Sequence, residues 1–391
     1  MSAPVRVVHA QVSLLSHYGG PARSVTALCD ALADDGVRVE LLTLDNAGPD
    51  RQLVLPRNPA VTLVRVPALT DMTGLVLWSR HFRSAVRRHV GHDVRTVLHD
   101  HGMWRQTNHD MAVVARATKA PLVVSTRGML EPWALNHKPL RKRLALALYA
   151  RRDLRSAALL HATSDVEATN LRALGLTQPI VVLPNGVALT ATPAPPDTRR
   201  PMRQFLFIGR IAPVKGLIQL LDAWHTLSHD NWRIVIAGPD EGAHRAELER
   251  RIPAMNLGDS VVFRGEVSDA DKWTLLAESD VLVLPSHSES FGVAVAEALA
   301  AGRPAIASTA TPWRTLVDHQ CGWHVSPTVD GLVRAMTAAC SLSDAERAAM
   351  GARARLLAES SFSWPAVAHA MHDAYRWLLD GAARPPSVRT D

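Results

Sequence analysis

The chain has little with which to staple itself together. Its three cysteines, Cys29, Cys321 and Cys340, are odd in number and far apart in 391 residues, so they form neither a disulfide framework nor a zinc site. No apolar run is long enough to span a bilayer; the longest candidate, Leu144 to Ala150, falls well short. The opening MSAPVRVVHAQVSLL has no basic lead into an apolar stretch and no small-residue cleavage pattern, so no secretory leader is expected. From these absences a reducing cytoplasm is the expected location. The P-loop and the dinucleotide G-x-G-x-x-G are both missing. Aromatic residues make up only 5% and do not interleave with the basic ones, which argues against a nucleic-acid groove, and no nucleic-acid partner is expected.

The remainder describes an ordinary globular protein, 47% hydrophobic and 20% charged. Its length exceeds the usual size of one core, so two domains are expected. The net charge of +6 is unevenly spread. Residues 1–190 hold 23 Lys and Arg against 14 Asp and Glu, or +9, and residues 191–391 hold 20 against 23, or −3. The basic half suggests an acidic partner or an anionic surface on that side.

Short β-branched runs alternate with helical patterns through the first half. Residues 5–10, 37–44, 96–102, 120–126, 158–164 and 179–187 read as strands, and 22–36 as an amphipathic helix ending at Gly36. TATPAPPDTRRP (190–201) reads as a linker. The rhythm restarts with strands at 204–209, 232–238, 260–265, 280–285 and 304–309. This pattern predicts two doubly wound α/β domains, 1–189 and 202–362, with ligands at the carboxyl ends of the strands and a cleft where the sheets face. Residues 363–391 are expected to form a helix, packing on either domain, and then a frayed tail.

Several stretches carry chemistry. FIGRIAPVKG (207–216) puts Gly209, Arg210 and Lys215 between a strand and a helix, either a phosphate site or a solvated basic turn. SHYGGPARS (16–24) brings Gly19 and Gly20 to the first helix, for close approach to a phosphate or sugar or as a plain tight turn. ESFGVAVAE places Glu289 in a loop and Glu297 eight residues later, in a helix expected to begin near Phe291 and to be apolar on every side. Paired carboxylates suit the neighbouring hydroxyls of a sugar; the plain alternatives are an exposed loop acid and a buried ion pair. LHDHGMW (98–104) ends a strand that faces the expected cleft; His99 reads as a packed strand residue, and the H-x-H spacing of His99 and His101 also suits a metal. Arg127 either binds an acceptor phosphate or pairs with Glu131. Residues 137–155 hold seven Lys and Arg and one Asp around an apolar middle, which fits a half-buried helix with a solvated basic face or a surface helix on anionic lipid.

Together, G-R-x-x-x-x-K-G (Gly209 to Gly216), LPNGV (Leu183 to Val187), E-x7-E (Glu289 to Glu297), the following A-x-G-R-P-x-I-A and the N-terminal GGPARS resemble the retaining glycosyltransferases of family 4, which have the two-domain GT-B fold. Residues 126–164 also look like the bacterial polysaccharide-assembly branch. The resemblance covers essentially the whole chain and implies roles for these residues. Arg210 and Lys215 would neutralise the diphosphate of a nucleotide-sugar. Glu289 would contact the donor sugar, assisted by backbone amides around Phe291 and Gly292, and Glu297 would hold the ribose, making the ligand its partner. Gly19 and Gly20 would approach the donor from the other domain, with Gly209 beside the phosphates. His101 would contact donor sugar or acceptor, with Arg127 on the acceptor side. No metal or other cofactor is implied.

The expected activity is therefore transfer of a hexose from a UDP- or GDP-sugar to a lipid-linked glycan, with retention, at the inner face of the membrane. Two alternatives are a nucleotide-sugar epimerase or hydrolase of the same fold, which would release nucleotide without an acceptor, and a non-catalytic sugar-nucleotide-binding subunit.

Overall fold

The computed structural model describes residues 4–15, 20–45, 52–70, 77–90, 95–136, 139–189, 202–227 and 231–391. Gly19, the 190–201 stretch, and His137 and Lys138 of the basic segment lie outside the described residues. The chain divides into two compact units, Met1–Gly186 with Trp364–Asp391, and Val187–Ser363. Residues 187–189 thus go with the second unit, not the first.

The first unit contains strands β1 (Arg6–Gln11), β2 (Arg38–Asp45), β3 (Thr62–Pro67), β4 (Leu69–Thr70), β5 (Leu77–Trp78), β6 (Thr96–His101), β7 (Leu122–Ser125), β8 (Leu159–Ala162) and β9 (Ile180–Val182). Its helices are α1 (Gly20–Asp34), α2 (Phe82–Val90), α3 (Gln106–Thr118), α4 (Pro132–Asn136), α5 (Pro139–Ala145), α6 (Arg151–Arg155) and α7 (Asp165–Ala173). A π-helical turn, Leu146–Ala150, joins α5 to α6. The second unit contains β10 (Arg203–Ile208), β11 (Trp232–Ala237), β12 (Val261–Gly265), β13 (Val281–Leu284), β14 (Ala305–Ser308) and β15 (Gly322–Val325). Its helices are α8 (Leu217–Thr226), α9 (His244–Ala254), α10 (Asp269–Glu278), α11 (Val293–Ala300), α12 (Thr315–Asp318), α13 (Val329–Cys340) and α14 (Asp344–Ser361). The chain then returns to the first unit with α15 (Trp364–Asp380) and β16 (Val388–Arg389).

The large sheet runs β16-β9-β8-β7-β6-β1-β2-β3 and the second β12-β11-β10-β13-β14-β15. All neighbours are parallel except β16 on β9. In each sheet the order reverses beside the first strand, between β1 and β6 and between β10 and β13, which is where doubly wound sheets open a crevice for ligands.

Alternation explains the cores. Val7, Leu41, Val97, Val123 and Leu159 join one apolar cluster with α1 and α15; their neighbours Val8, Leu42, Leu98, Val124 and Leu160 join another on the opposite face. A strand covered on both faces must be apolar on both, hence the runs visible in the sequence. α1 buries Ala22, Val25, Leu28, Cys29 and Leu32 at helical spacing. It ends where Gly36 takes φ +83° and the amide of Val37 donates back to the Leu32 carbonyl at 3.0 Å.

The tail expected to fray is ordered. Val388 is buried and pairs with Val181, and the Val182 amide donates to the Ser387 carbonyl at 2.8 Å. The tail thereby covers the open edge of β9, whose backbone groups would otherwise be left unpaired. Deleting residues 386–391 is expected to cost the first unit about 2–4 kcal/mol, from lost apolar burial and strand bonds. An unchanged thermal midpoint for the truncated protein would refute this role.

Candidate active site

In the second unit, the loops after β10 and β13 flank the reversal point and are stitched together. Gly216 has φ +68°, and a Cβ there would lie 2.2 Å from the Pro285 carbonyl oxygen. Only glycine permits that approach. Alongside it, the His287 amide donates to the Val214 carbonyl at 2.8 Å. The result brings Lys215 Nζ to 2.5 Å from Glu289 Oε2, with side chains only 12% and 18% exposed. These two predicted residues, 74 positions apart, thus form one ion pair. Arg210 is more than half exposed and pairs with Glu241, in the loop after β11.

The helix carrying Glu297 begins at Val293, with Gly292 at its N-cap in the left-handed region, φ +82°. A Cβ on Gly292 would meet Leu284 Cδ2 at 2.8 Å and Glu289 Cγ at 3.2 Å. Phe291 is a core residue, its ring against Trp313 and Phe362 and its carbonyl bonded by the Trp313 indole N–H at 2.5 Å. Any contact it makes with a ligand therefore falls to its backbone. Glu297 does not depend on a ligand for its partner: its Oε1 lies 2.6 Å from Lys272 Nζ in α10. This partly buried ion pair accounts for a carboxylate on so apolar a helix.

In the first unit, His99 is packed in the strand as expected. His101, at the end of the same strand, is buried as well. The reason is a polar layer on the α1 and α15 side of the sheet. Thr43, Gln11, His101, Ser125 and His161 stand in register across β2, β1, β6, β7 and β8. His9 and His99 face each other one step back. The protons in this layer can be assigned from its ends. Arg127 Nη2 must donate, so His101 Nδ1, at 3.0 Å, accepts. His101 Nε2–H then donates to His9 Nδ1 at 2.9 Å, leaving the proton of neutral His9 on Nε2. A second chain ends on an obligate acceptor: His161 Nε2–H donates to the Leu183 carbonyl at 2.9 Å. Ser125 Oγ therefore donates to His161 Nδ1 at 2.5 Å and accepts from His99 Nε2–H at 2.8 Å. Tyr375 of α15 donates to His99 Nδ1 at 2.6 Å.

His9, His99 and His101 bring ligand atoms within 4.8 Å of one another, a spacing that suits a metal. Their nitrogens are committed to these bonds, except His9 Nε2, so metal binding would require breaking the layer. The sequence reading overlooked His9 and His161. The signal was visible, because histidine recurs at the carboxyl end of three predicted strands, in VRVVHA, TVLHDHG and ALLHATS.

Arg127 does not pair with Glu131, whose carboxylate instead accepts from Asn170. Its guanidinium donates to Ser24 Oγ at 3.1 Å and Asn185 Oδ1 at 2.6 Å as well as to His101. Gly20, the first residue of α1, has open space where a Cβ would be.

Burial, reinforced by the charge of Arg127, lowers His9 to about 3 and His161 to about 4. The unfolded chain takes up these protons near pH 6.5. The favourable contribution of the neutral rings is thus fully present above that pH and is lost as pH falls towards 3–4. Asp100 and Glu131, both raised to about 7 by burial, act in the opposite sense between about pH 4 and 7. The layer itself is best read by nitrogen NMR of the histidine rings. His9 and His161 should remain neutral, each with one protonated nitrogen, from pH 8 to 5. Titration of either ring within that range would disprove the proton assignment.

Two family models match the chain: "Glycosyl transferase 4-like domain" over residues 19–186 and "Glycosyl transferases group 1" over residues 194–357. A D-inositol 3-phosphate glycosyltransferase of Kineococcus radiotolerans is 34% identical over 258 residues, covering 58% of this chain and 59% of that protein. A phosphatidyl-myo-inositol mannosyltransferase of Mycobacterium leprae is 29% identical over 331 residues, covering 80% of each. The chain thus spans less than two thirds of the first relative's length and more than two thirds of the second's. Among solved structures, Anabaena Alr3699/HepE in complex with UDP and glucose has a TM-score of 0.71 at 18% identity, covering 95% of this chain and 99% of that one. With both units matched by glycosyltransferase models and the fold shared, this chain belongs to the GT4-type glycosyltransferases of GT-B fold.

Proposed function

We propose that the protein transfers a hexose from a UDP- or GDP-sugar to a hydroxyl of a growing, lipid-linked, cell-surface polysaccharide, with retention at the anomeric carbon. The observation that carries this reading is the Lys215–Glu289 pair at the reversal point of the second sheet. It offers a cation for the leaving diphosphate beside a carboxylate that accepts sugar hydroxyls. The C1–O bond to the diphosphate breaks, and the acceptor oxygen bonds to C1 on the same face. The acceptor's proton leaves on a diphosphate oxygen. Arg210, on its exposed loop, adds charge to the phosphates, and Gly209 leaves room beside them. The amides of Phe291 and Gly292 and the free N–H groups at the start of α11 face the donor. Glu297, already charged and oriented by Lys272, holds the ribose. His101 acts through Arg127, which it orients, and Arg127 serves the acceptor. The donor is a co-substrate, and the reaction as written draws on no resident cofactor or metal.

HepE, solved with UDP and glucose, supports a uracil nucleotide-sugar, and the mannosyltransferase relative supports a hexose and a lipid acceptor. A lipid surface is supported by the basic segment itself. None of the described helices is long and apolar enough to cross a membrane. Yet Leu140, Leu144 and Leu148, four residues apart, are 78%, 60% and 71% exposed. Beside them an open recess of about 770 Å³ is lined by Arg116, Arg143, Arg151, Arg152 and Arg155. Three leucines with arginines alongside match an acyl boundary under anionic headgroups, at about 1.5–3 kcal/mol per buried leucine and about 1 per cation.

Two measurements test the two halves of the reading. Lys215→Ala should lower turnover by at least about 100-fold with an unchanged thermal midpoint; near-normal turnover would remove the phosphate assignment. A melting-temperature screen against UDP-, GDP- and ADP-sugars identifies the donor, since a ligand that binds only the folded state raises the midpoint. For the surface, the protein should float with phosphatidylglycerol vesicles and not with phosphatidylcholine ones, and Leu144→Glu with Leu148→Glu should abolish flotation. Equal flotation of the double variant would exclude this segment as the membrane contact.

A further inference from the structure

Arg127 has only neutral hydrogen-bond partners, and the charge that compensates it most, on Glu167, acts on it without a direct bond. The loop carrying it is fixed on both sides by one buried carboxylate: Glu167 accepts from Thr126 Oγ1 at 2.6 Å, the Gly128 amide at 2.7 Å, and the Thr163 amide and hydroxyl at 2.8 and 2.7 Å. Between these anchors Arg127 is held at φ +54°, a conformation that costs a non-glycine residue energy and that persists when its surroundings enforce it. Its guanidinium is then aimed by three neutral groups, Ser24, Asn185 and His101. No carboxylate forms an ion pair with it among the described residues. Glu131 is bonded to Asn170, and the four bonds to Glu167 come from other groups. Its Nε–H is buried without a partner. Burial lowers its pKa to about 10, the mark of a cation that its own protein only partly compensates.

A buried guanidinium is expensive unless an anion meets it. More unfilled hydrogen-bonding capacity lies along the same layer, at His9 Nε2, Gln11 Oε1 and Thr43 Oγ1. Ser24, the group Arg127 reaches in α1, belongs to that helix's N-terminal part, where the helix dipole adds positive potential. The deposit of positive charge is therefore local, and its acceptors inside the protein are all neutral.

We infer that Arg127, on the loop after β7, binds an oxyanion of the acceptor, a phosphate or a carboxylate. The inference rests on the transferase reading for the word acceptor, but not for the anion. The planar fork donates two N–H groups to such a group at once, which a lysine does not reproduce. Because His101 Nδ1 accepts from Arg127, its ring nitrogen reports on any ligand that draws the guanidinium away.

The test uses the full chain labelled with ¹⁵N-histidine, titrated separately with inorganic phosphate and with glucuronate. A saturable shift of His101 Nδ1 is expected with one or both; the titrant that gives it identifies the anion. In Arg127→Gln the apparent affinity should fall at least tenfold, and in Arg127→Lys, which keeps the charge, it should fall by less. Arg127→Lys also serves if the glutamine variant does not fold. No response of His101 to either anion, or an equal response in Arg127→Gln, would overturn the proposal. A parallel melting-temperature measurement with UDP-glucose and GDP-mannose separates the readings. An unchanged donor response in Arg127→Gln supports the acceptor side, whereas its loss assigns the charge to the donor and overturns the proposal. If neither donor binds the unaltered protein while phosphate still moves His101, the transferase reading fails and the anion site stands.

Discussion

The site in the second unit depends on the close approach of two backbones. Gly216 packs where any side chain would strike the Pro285 carbonyl, and this contact locks the loop after β10 to the loop after β13. Lys215 and Glu289 meet because of it. Without that approach the two side chains would belong to separate turns, each solvated and each weak as a binding group. Brought together in a half-buried place, they are a fixed cation and a fixed carboxylate at the point where a doubly wound sheet opens. Lys272 gives Glu297 the same treatment one helix away. In this unit charge is placed by pairing it.

The first unit handles polarity differently. Four buried imidazoles are kept neutral, and their protons run in fixed directions along two chains, one set by Arg127 at its start and the other by the Leu183 carbonyl at its end. Such a layer tolerates few alternatives, because reversing one bond sets donor against donor. It also explains why His101 lies inside. The charged group that it orients, Arg127, is itself largely buried. The recurrence of histidine at three neighbouring strand ends is a structural device as much as a chemical one.

The basic segment follows a third rule. Among its described residues only Ala150 and Leu154 are buried, while Leu140, Leu144 and Leu148 project into solvent beside arginines. A helix that buried those leucines against its own sheet would need no such arrangement, and a helix made for water would not carry them. The π-helical turn at Leu146–Ala150 lies between the exposed leucines of α5 and the buried Leu154. Turns of this kind interrupt regular helices at functional places.

The sequence alone determined the class of fold and most of the strands, because a sheet covered on both faces requires unbroken apolar runs and the glycine, lysine and glutamate motifs mark strand ends. It missed the edge strands β3, β15 and β16, which leave no such run, and the two-residue strands β4 and β5, too short to show a pattern. It named Lys215, Glu289 and Arg127, because charged residues after apolar strands stand out. It did not reveal their partners. That Lys215 meets Glu289, that Glu297 meets Lys272, that His101 turns inward, and that the final residues complete a sheet were decided only by the tertiary structure. The physical reason is distance along the chain. Local pattern fixes which groups are present, whereas partners from 25 to more than 200 residues away are chosen by how the layers pack.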